Sequence, residues 1–292
     1  MNFEKCENQQ HLANYYRKFL SDPAMLVGQG KHLHTLRDNV EHIEDEWTAA
    51  EEAKIDRHTL PTTKENFLPW YLNYEKKINE EIAPFLNHLK NNATLEQIAY
   101  YICMEEMVDG SFDDLMAVVQ LGMPINCKMV AGENYWDEMG NGNFEFVHGS
   151  MFKTSSAYMR KVLKEKDITL ESPPKECLMN GNILLMWAVR REYNIRLIGA
   201  MGLVEGSAPI RFGATTHALE RLQQPTEVIA YHKAHIGIDT HHSEAWFDIV
   251  LQHYSQGGVK VIQELALGVL IRYNVAVRYY QHIHETMRRM VS

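Results

Sequence analysis

Apolar residues recur every three or four positions over long intervals of this chain, and runs of strict alternation, the mark of half-buried strands, are scarce. The spacing predicts an all-α protein. Thr94-Leu-Glu-Gln97 has the form of a capping box, with Leu95, Ile98, Ile102, Leu115, Val118 and Val119 following at helical intervals. One helix is therefore expected from about residue 94 to about Leu121, closed by Gly122 with Pro124 just beyond. A second is expected from about Glu227 to Ser255, with Gly237 as a weak point and Gly257-Gly258 as its stop. Val261, Ile262, Leu265, Val269, Tyr273, Ala276, Val277 and Tyr280 form a core-facing stripe that predicts a last helix ending near Arg289.

All nine prolines fall at or near breaks in this periodicity, as expected if a helix-interior proline costs about 3 kcal/mol. Gly199, Gly202 and Gly206 surround Glu205 in a helical pattern, which predicts a closely approaching neighbour or a bent backbone. Gly140 and Gly142 beside Glu138 suggest local unwinding or a π-bulge, and the polar stretch Met139 to Asn143 also reads as a loop. Residues 28 to 55 are rich in His, Asp and Glu without one coherent face, and a solvated helix is expected there. Glu105, Glu106 and Asp109 read as an acidic helical face. The chain divides into a helical N-terminal extension, 1–92, packed on a bundle spanning 93–292.

Composition narrows the function. With 45% hydrophobic residues the chain can bury a substantial core, and a formal net charge of −9 argues against a nucleic-acid footprint or an anionic membrane surface. No apolar run approaches the roughly 20 residues needed to span a bilayer, and the N-terminus lacks a signal-peptide core. Four scattered cysteines form no zinc or redox pair, so a reduced, cytoplasmic setting and a small-molecule partner are expected.

The candidate chemistry lies in oxygen donors mixed with imidazoles. His235, Asp239 and His242 are spaced by four and three residues, which places them on one helical face. Glu138, Glu145 and His148, spaced by seven and three, fall within a sector of roughly 100° if they share a helix. Glu205 adds a carboxylate from a third segment. A set of hard donors without cysteine favours iron or manganese over structural zinc. Arg191, Arg196 and Arg211 flank Glu205 as a candidate carboxylate clamp, with surface salt bridging as the plainer reading. Tyr101, Tyr231 and Trp246 are candidates for pocket or core.

The order Glu138, His148, Glu205, His235-x3-Asp239-x2-His242 over roughly residues 95 to 285 resembles the heme-oxygenase-like diiron oxidases, also called the iron-containing redox enzyme family. The resemblance implies a heme-oxygenase-type helical bundle without heme, two non-heme irons, dioxygen as co-substrate and an external electron donor. It implies Glu138, Glu145, His148, Glu205, His235, Asp239 and His242 as the metal ligands. Glu138, His148 and His242 would serve one side, Glu145, His235 and Asp239 the other, with Glu205 bridging. Glu145, three residues before His148, resembles a feature of the N-oxygenase branch and implies oxidation of a nitrogen on a small amine or guanidine. The alternative is desaturation or cleavage of a carbon skeleton. The additional N-terminal stretch is a departure that bears on oligomerisation, a homodimer included, or on the substrate entrance.

Overall fold

Helical spacing becomes helix throughout the computed structural model, which describes residues 2–170 and 172–290 and contains no strand among them. In chain order the helices are α1 (Cys6–Phe19), α2 (Pro23–Leu26), α3 (Gly30–Glu52), α4 (Lys64–Asn91), α5 (Leu95–Glu105), α6 (Phe112–Val119) and α7 (Ile125–Glu138). They continue with α8 (His148–Glu165), α9 (Lys175–Val189), α10 (Asn194–Arg221), α11 (Thr226–Ala245), α12 (Gln252–Tyr254) and α13 (Val259–Arg289). Among the described residues, no helix is long and apolar enough to cross a membrane.

Helix α10 is the axis of the bundle, with α4, α11 and α13 packed along it. Two glycines set how closely α10 and α13 approach. A Cβ at Gly199 would strike the carbonyl of Leu265, and one at Gly268 would strike that of Arg196. On another side of α10, the carboxylate of Glu75 from α4 occupies the space a Cβ at Gly206 would need. The glycines around Glu205 thus admit two neighbours. Helices α8 and α11 pack together, α5 covers α8, and α1 lies on α9.

Four expectations need correction. The helix from residue 94 does begin with its capping box, but it stops at Glu105 and resumes only at Phe112. Between them the chain turns, Met107 presses its carbonyl against Gly181 of α9, and Glu105 and Asp109 reach inward to Arg211. Pro69, Pro84 and Pro209 sit inside helices rather than at breaks. In α4, burial of Phe67, Tyr71, Ile78, Ile82, Phe85, Leu86 and Leu89, each worth about 1.5–3 kcal/mol, outweighs two such penalties.

Helix α3 is not simply solvated. It buries Val40, Ile43 and Trp47, and Glu44 and Glu51 are held on its inner side by Arg190 and Arg278. A π-helical turn occurs after His242, at Trp246–Leu251, and not beside Glu138. The predicted helix over 227–255 otherwise forms as a continuous helical run, and α13 ends at Arg289, where the last helix was expected to end.

Candidate metal centre

Six donors converge where α7, α8, α10 and α11 meet. Glu138 is the last residue of α7 and His148 the first of α8, while Glu205 lies within α10 and His235, Asp239 and His242 share one face of α11. They form two groups, Glu138 with His148 and His235, and Glu205 with Asp239 and His242; in each, one donor atom per residue lies within 4.8 Å of the others. None of the six is more than 4% exposed.

Glu138 and His148 do not share a helix. The chain leaves α7 at Glu138 and passes through two 3-10 turns, with positive φ at Gly140, Asn141 and Gly142, before α8 begins. The loop reading of this stretch is the one observed. Glu145 sits on the second turn, exposed to solvent and apart from the other six, because the helix that would have carried it inward ends seven residues earlier. The partition also differs from the expected one. His235, not His242, accompanies Glu138 and His148, and Glu205 stands within the other group with Asp239 and His242.

Hydrogen bonds orient the rings. His235 donates from Nδ1 to the carbonyl of Tyr231 at 2.7 Å, which leaves Nε2 facing Glu138 Oε1 at 3.6 Å. His242 instead donates from Nε2 to Asp137 Oδ2 at 2.9 Å, leaving Nδ1 at 3.9 Å from both Glu205 Oε2 and Asp239 Oδ1. Adjacent residues at the end of α7 therefore serve different groups. Asp137 is in turn held by Asn141 Nδ2 at 2.8 Å, and Asn134 donates to Glu205 Oε1 at 2.8 Å.

The carboxylates divide electrostatically. Burial acts to raise the pKa of Glu138, yet the imidazoles of His148 and His235 outweigh it and bring the value down to about 2. Burial pushes Glu205 up to about 7, with the Glu138 charge adding and His242, Asn134 and Arg211 opposing. Burial, followed by the charges of Glu205 and Glu138, puts Asp239 well above the usual carboxylate range. Two neighbouring buried carboxylates call for a cation.

The donor set fits two metal ions. His148 Nδ1 is buried without a hydrogen bond, although Glu138 Oε1 is only 3.1 Å away, as expected of a nitrogen turned toward a ligand position. Carboxylate and imidazole donors without thiolate suit iron. Beside them lies a cavity of about 20 Å³ bounded by Glu205, Asp239, His235, Tyr231, Phe212 and Arg211. It has room for a water-sized or diatomic molecule.

Among the candidate clamp residues, Arg191 donates to the carbonyl of Leu121, and Arg196 is paired with Glu52 and Glu264. Arg211 reaches the cavity wall, but Glu105 at 2.5 Å and Asp109 at 3.2 Å already neutralise it. Glu105 and Asp109 are the residues that sequence reasoning missed. Their partner is about a hundred positions away, so no local pattern marks them as an internal ion cluster. Tyr101 and Trp246 are core residues, while Tyr231 lines the cavity.

A family model described as an iron-containing redox enzyme matches residues 99–277. Among solved structures, the chain is similar to a domain of unknown function with a heme oxygenase-like fold from Shewanella denitrificans. The identity is 14%, the TM-score 0.55, and the match covers 77% of this chain and 93% of that one. The likeness shows the fold, an all-α heme-oxygenase-like bundle. No curated protein matches.

Proposed function

We propose that this chain, which belongs to the iron-containing redox enzyme family, is a non-heme diiron oxygenase that uses dioxygen to oxidise a nitrogen of a small amine or guanidine. The observation that carries the diiron reading is the pair of buried three-donor groups, each mixing carboxylate and imidazole. Glu138, His148 and His235 would hold one iron, and Glu205, Asp239 and His242 the other. Two ferrous ions there would supply two electrons and open coordination positions for reaction with dioxygen, and an external electron donor would return those electrons after each turnover.

The chain's own residues do the positioning. Asp137 and the Tyr231 carbonyl fix which nitrogen of His242 and His235 faces the metals, and Asn134 orients Glu205. Phe212, Tyr231 and Val204 wall the small cavity and keep bulk water out. A substrate larger than dioxygen requires that wall to open.

Nitrogen oxidation rests on Glu145 becoming a seventh ligand in the loaded protein. The turn Phe144–Phe146 that carries it buries none of its residues, so moving it sacrifices little packing. The second reading, oxidation of a carbon skeleton, is favoured by the place of Glu145 outside both three-donor groups. The deciding experiment is turnover of the iron-loaded protein with candidate amines and a supplied reductant under labelled dioxygen. Label on nitrogen in the product is expected, whereas loss of carbon or ammonia without label on nitrogen favours the second reading.

A further inference from the structure

Helix α7 serves the metal centre with one face and leaves the opposite face uncovered. Its inner side carries Asn134, which holds Glu205, and Glu138 itself. On the outer side Ile125, Met129 and Trp136 are 75%, 67% and 53% exposed, and Gly132 completes the row. The steps of four, three and four are those of a coiled-coil seam, so the four positions follow one line along the helix. Single exposed apolar residues are ordinary, whereas an ordered row of them marks a contact surface.

The seam is complementary to itself. If a second α7 runs antiparallel about a two-fold axis between Val130 and Ala131, Met129 of one copy meets Gly132 of the other, and Ile125 meets Trp136. Gly132 leaves a hole for that methionine, since only Gln120 Oε1 lies near, 3.9 Å from where a Cβ would stand. A two-fold axis across the helices keeps each flank on its own side, which sets Glu133 beside Asn126 and Lys128 beside the ring of Tyr135. No like charges meet. Among the described residues Lys128 makes no ion pair, and Glu133 has only the exposed His241, at 3.6 Å.

We propose that this outer face of α7 is a homodimer interface, its occupant a second copy of the chain packed antiparallel. The area agrees. With large side chains offering about 150–250 Å² each, the exposed parts of Ile125, Met129 and Trp136 come to about 400 Å². A standard interface takes about 800 Å² from each partner, about 65% of it apolar in homodimers. Leu121, exposed just before the helix, and the flanking Asn126, Lys128, Glu133 and Tyr135 supply the rest. The helix clamped in this way is the one whose other face contributes to both metal groups, and Trp136 also packs on Gly142 in the turn between Glu138 and His148. The pairing uses the bundle and not the N-terminal extension, and it does not depend on the oxygenase reading.

Light scattering of the full-length, metal-free protein at about 100 μM should give twice the chain mass. Met129→Glu, which puts a carboxylate into the Gly132 hole, should weaken the dimer about hundredfold, while Leu72→Glu, at an exposed apolar position on α4, should leave it unchanged. Circular dichroism checks the fold of each variant. The arrangement is read with cysteines in a Cys6→Ser background, where Ile125→Cys and Trp136→Cys chains should link to each other on oxidation and neither to itself. A monomer, a dimer untouched by Met129→Glu, or self-linking of Ile125→Cys would overturn the proposal. Every readout is taken without iron or dioxygen, so failure here is separate from failure of the turnover assay.

Discussion

Glu138, His148 and His235 are gathered across a break in the chain, whereas Glu205, Asp239 and His242 all stand within helices. The first group has its carboxylate held ionised by two imidazoles, and its His235 is steered by a backbone carbonyl. The second has two carboxylates pushed toward protonation, and its members are steered by the side chains of Asp137 and Asn134. Helix interiors can bring like charges together because their backbone is already satisfied; the cost is an electrostatic strain that a metal would relieve. The break, by contrast, achieves balanced charge through geometry that depends on a few left-handed residues.

The strongest way to break the contrast is Gly140→Ala. Gly140 has φ +61°, and an added Cβ would lie 2.5 Å from the carbonyl carbon of Phe146. The turn must then move, at a cost of about 1–3 kcal/mol, and Glu138 loses its register with His148. Iron content after anaerobic loading is expected to fall from two per chain to one, with the second group still filled. Retention of both irons would show that the break does not define the first group.

Asp137→Ala acts on the other side. It frees His242 while leaving Glu138, its neighbour, in place, so the second group's iron affinity should drop by about 10–100-fold, read by chelator competition. The first group should change little. Equal weakening of both would mean that the end of α7 acts as a unit.

The metal-free protein should also show the difference in its pH dependence. Glu205 rises from an ordinary 4.5 to about 7 on folding, so between those values the folded chain keeps a proton that the unfolded chain has lost. Stability therefore declines as pH rises from about 4.5 to 7, and Asp239 acts in the same direction. Glu138, lowered to about 2, contributes stability that is fully present across that range and is lost only as pH falls toward 2. The expected result is a Tm lower by about 5 °C at pH 7.5 than at pH 5, with iron abolishing the slope. A Tm that rises with pH would contradict the division.

Much of this was legible from spacing because helical periodicity is local. Thr94 and Gln97 announced their cap, and His235, Asp239 and His242 their shared face, within a few residues of one another. What escaped depends on distant partners. Asp109 looks like any acidic helix position until Arg211 arrives from α10, and the same contact helps end the helix that periodicity would have continued. Pro209 looks like a break, yet it sits in α10 one turn after Glu205. There it removes the N–H that would have bonded the Glu205 carbonyl, loosening the helix at a donor residue. The shared face proposed for Glu138, Glu145 and His148 failed for a simpler reason: it presumed one helix across Gly140 and Gly142, and both have positive φ.

Glu145→Ala is the finest test, because it asks whether the first group stays as it is once metals bind. In the nitrogen-oxidising reading, Glu145 is drawn from its exposed turn to the side of His148, three residues on. Removing it should weaken the first group's iron by a few-fold and leave the second alone. The effect should be smaller than that of Asp137→Ala, since ordering an exposed turn consumes part of the binding free energy that the added ligand contributes. An unchanged affinity at both groups would leave six donors as the complete set, and with it the carbon-oxidising reading.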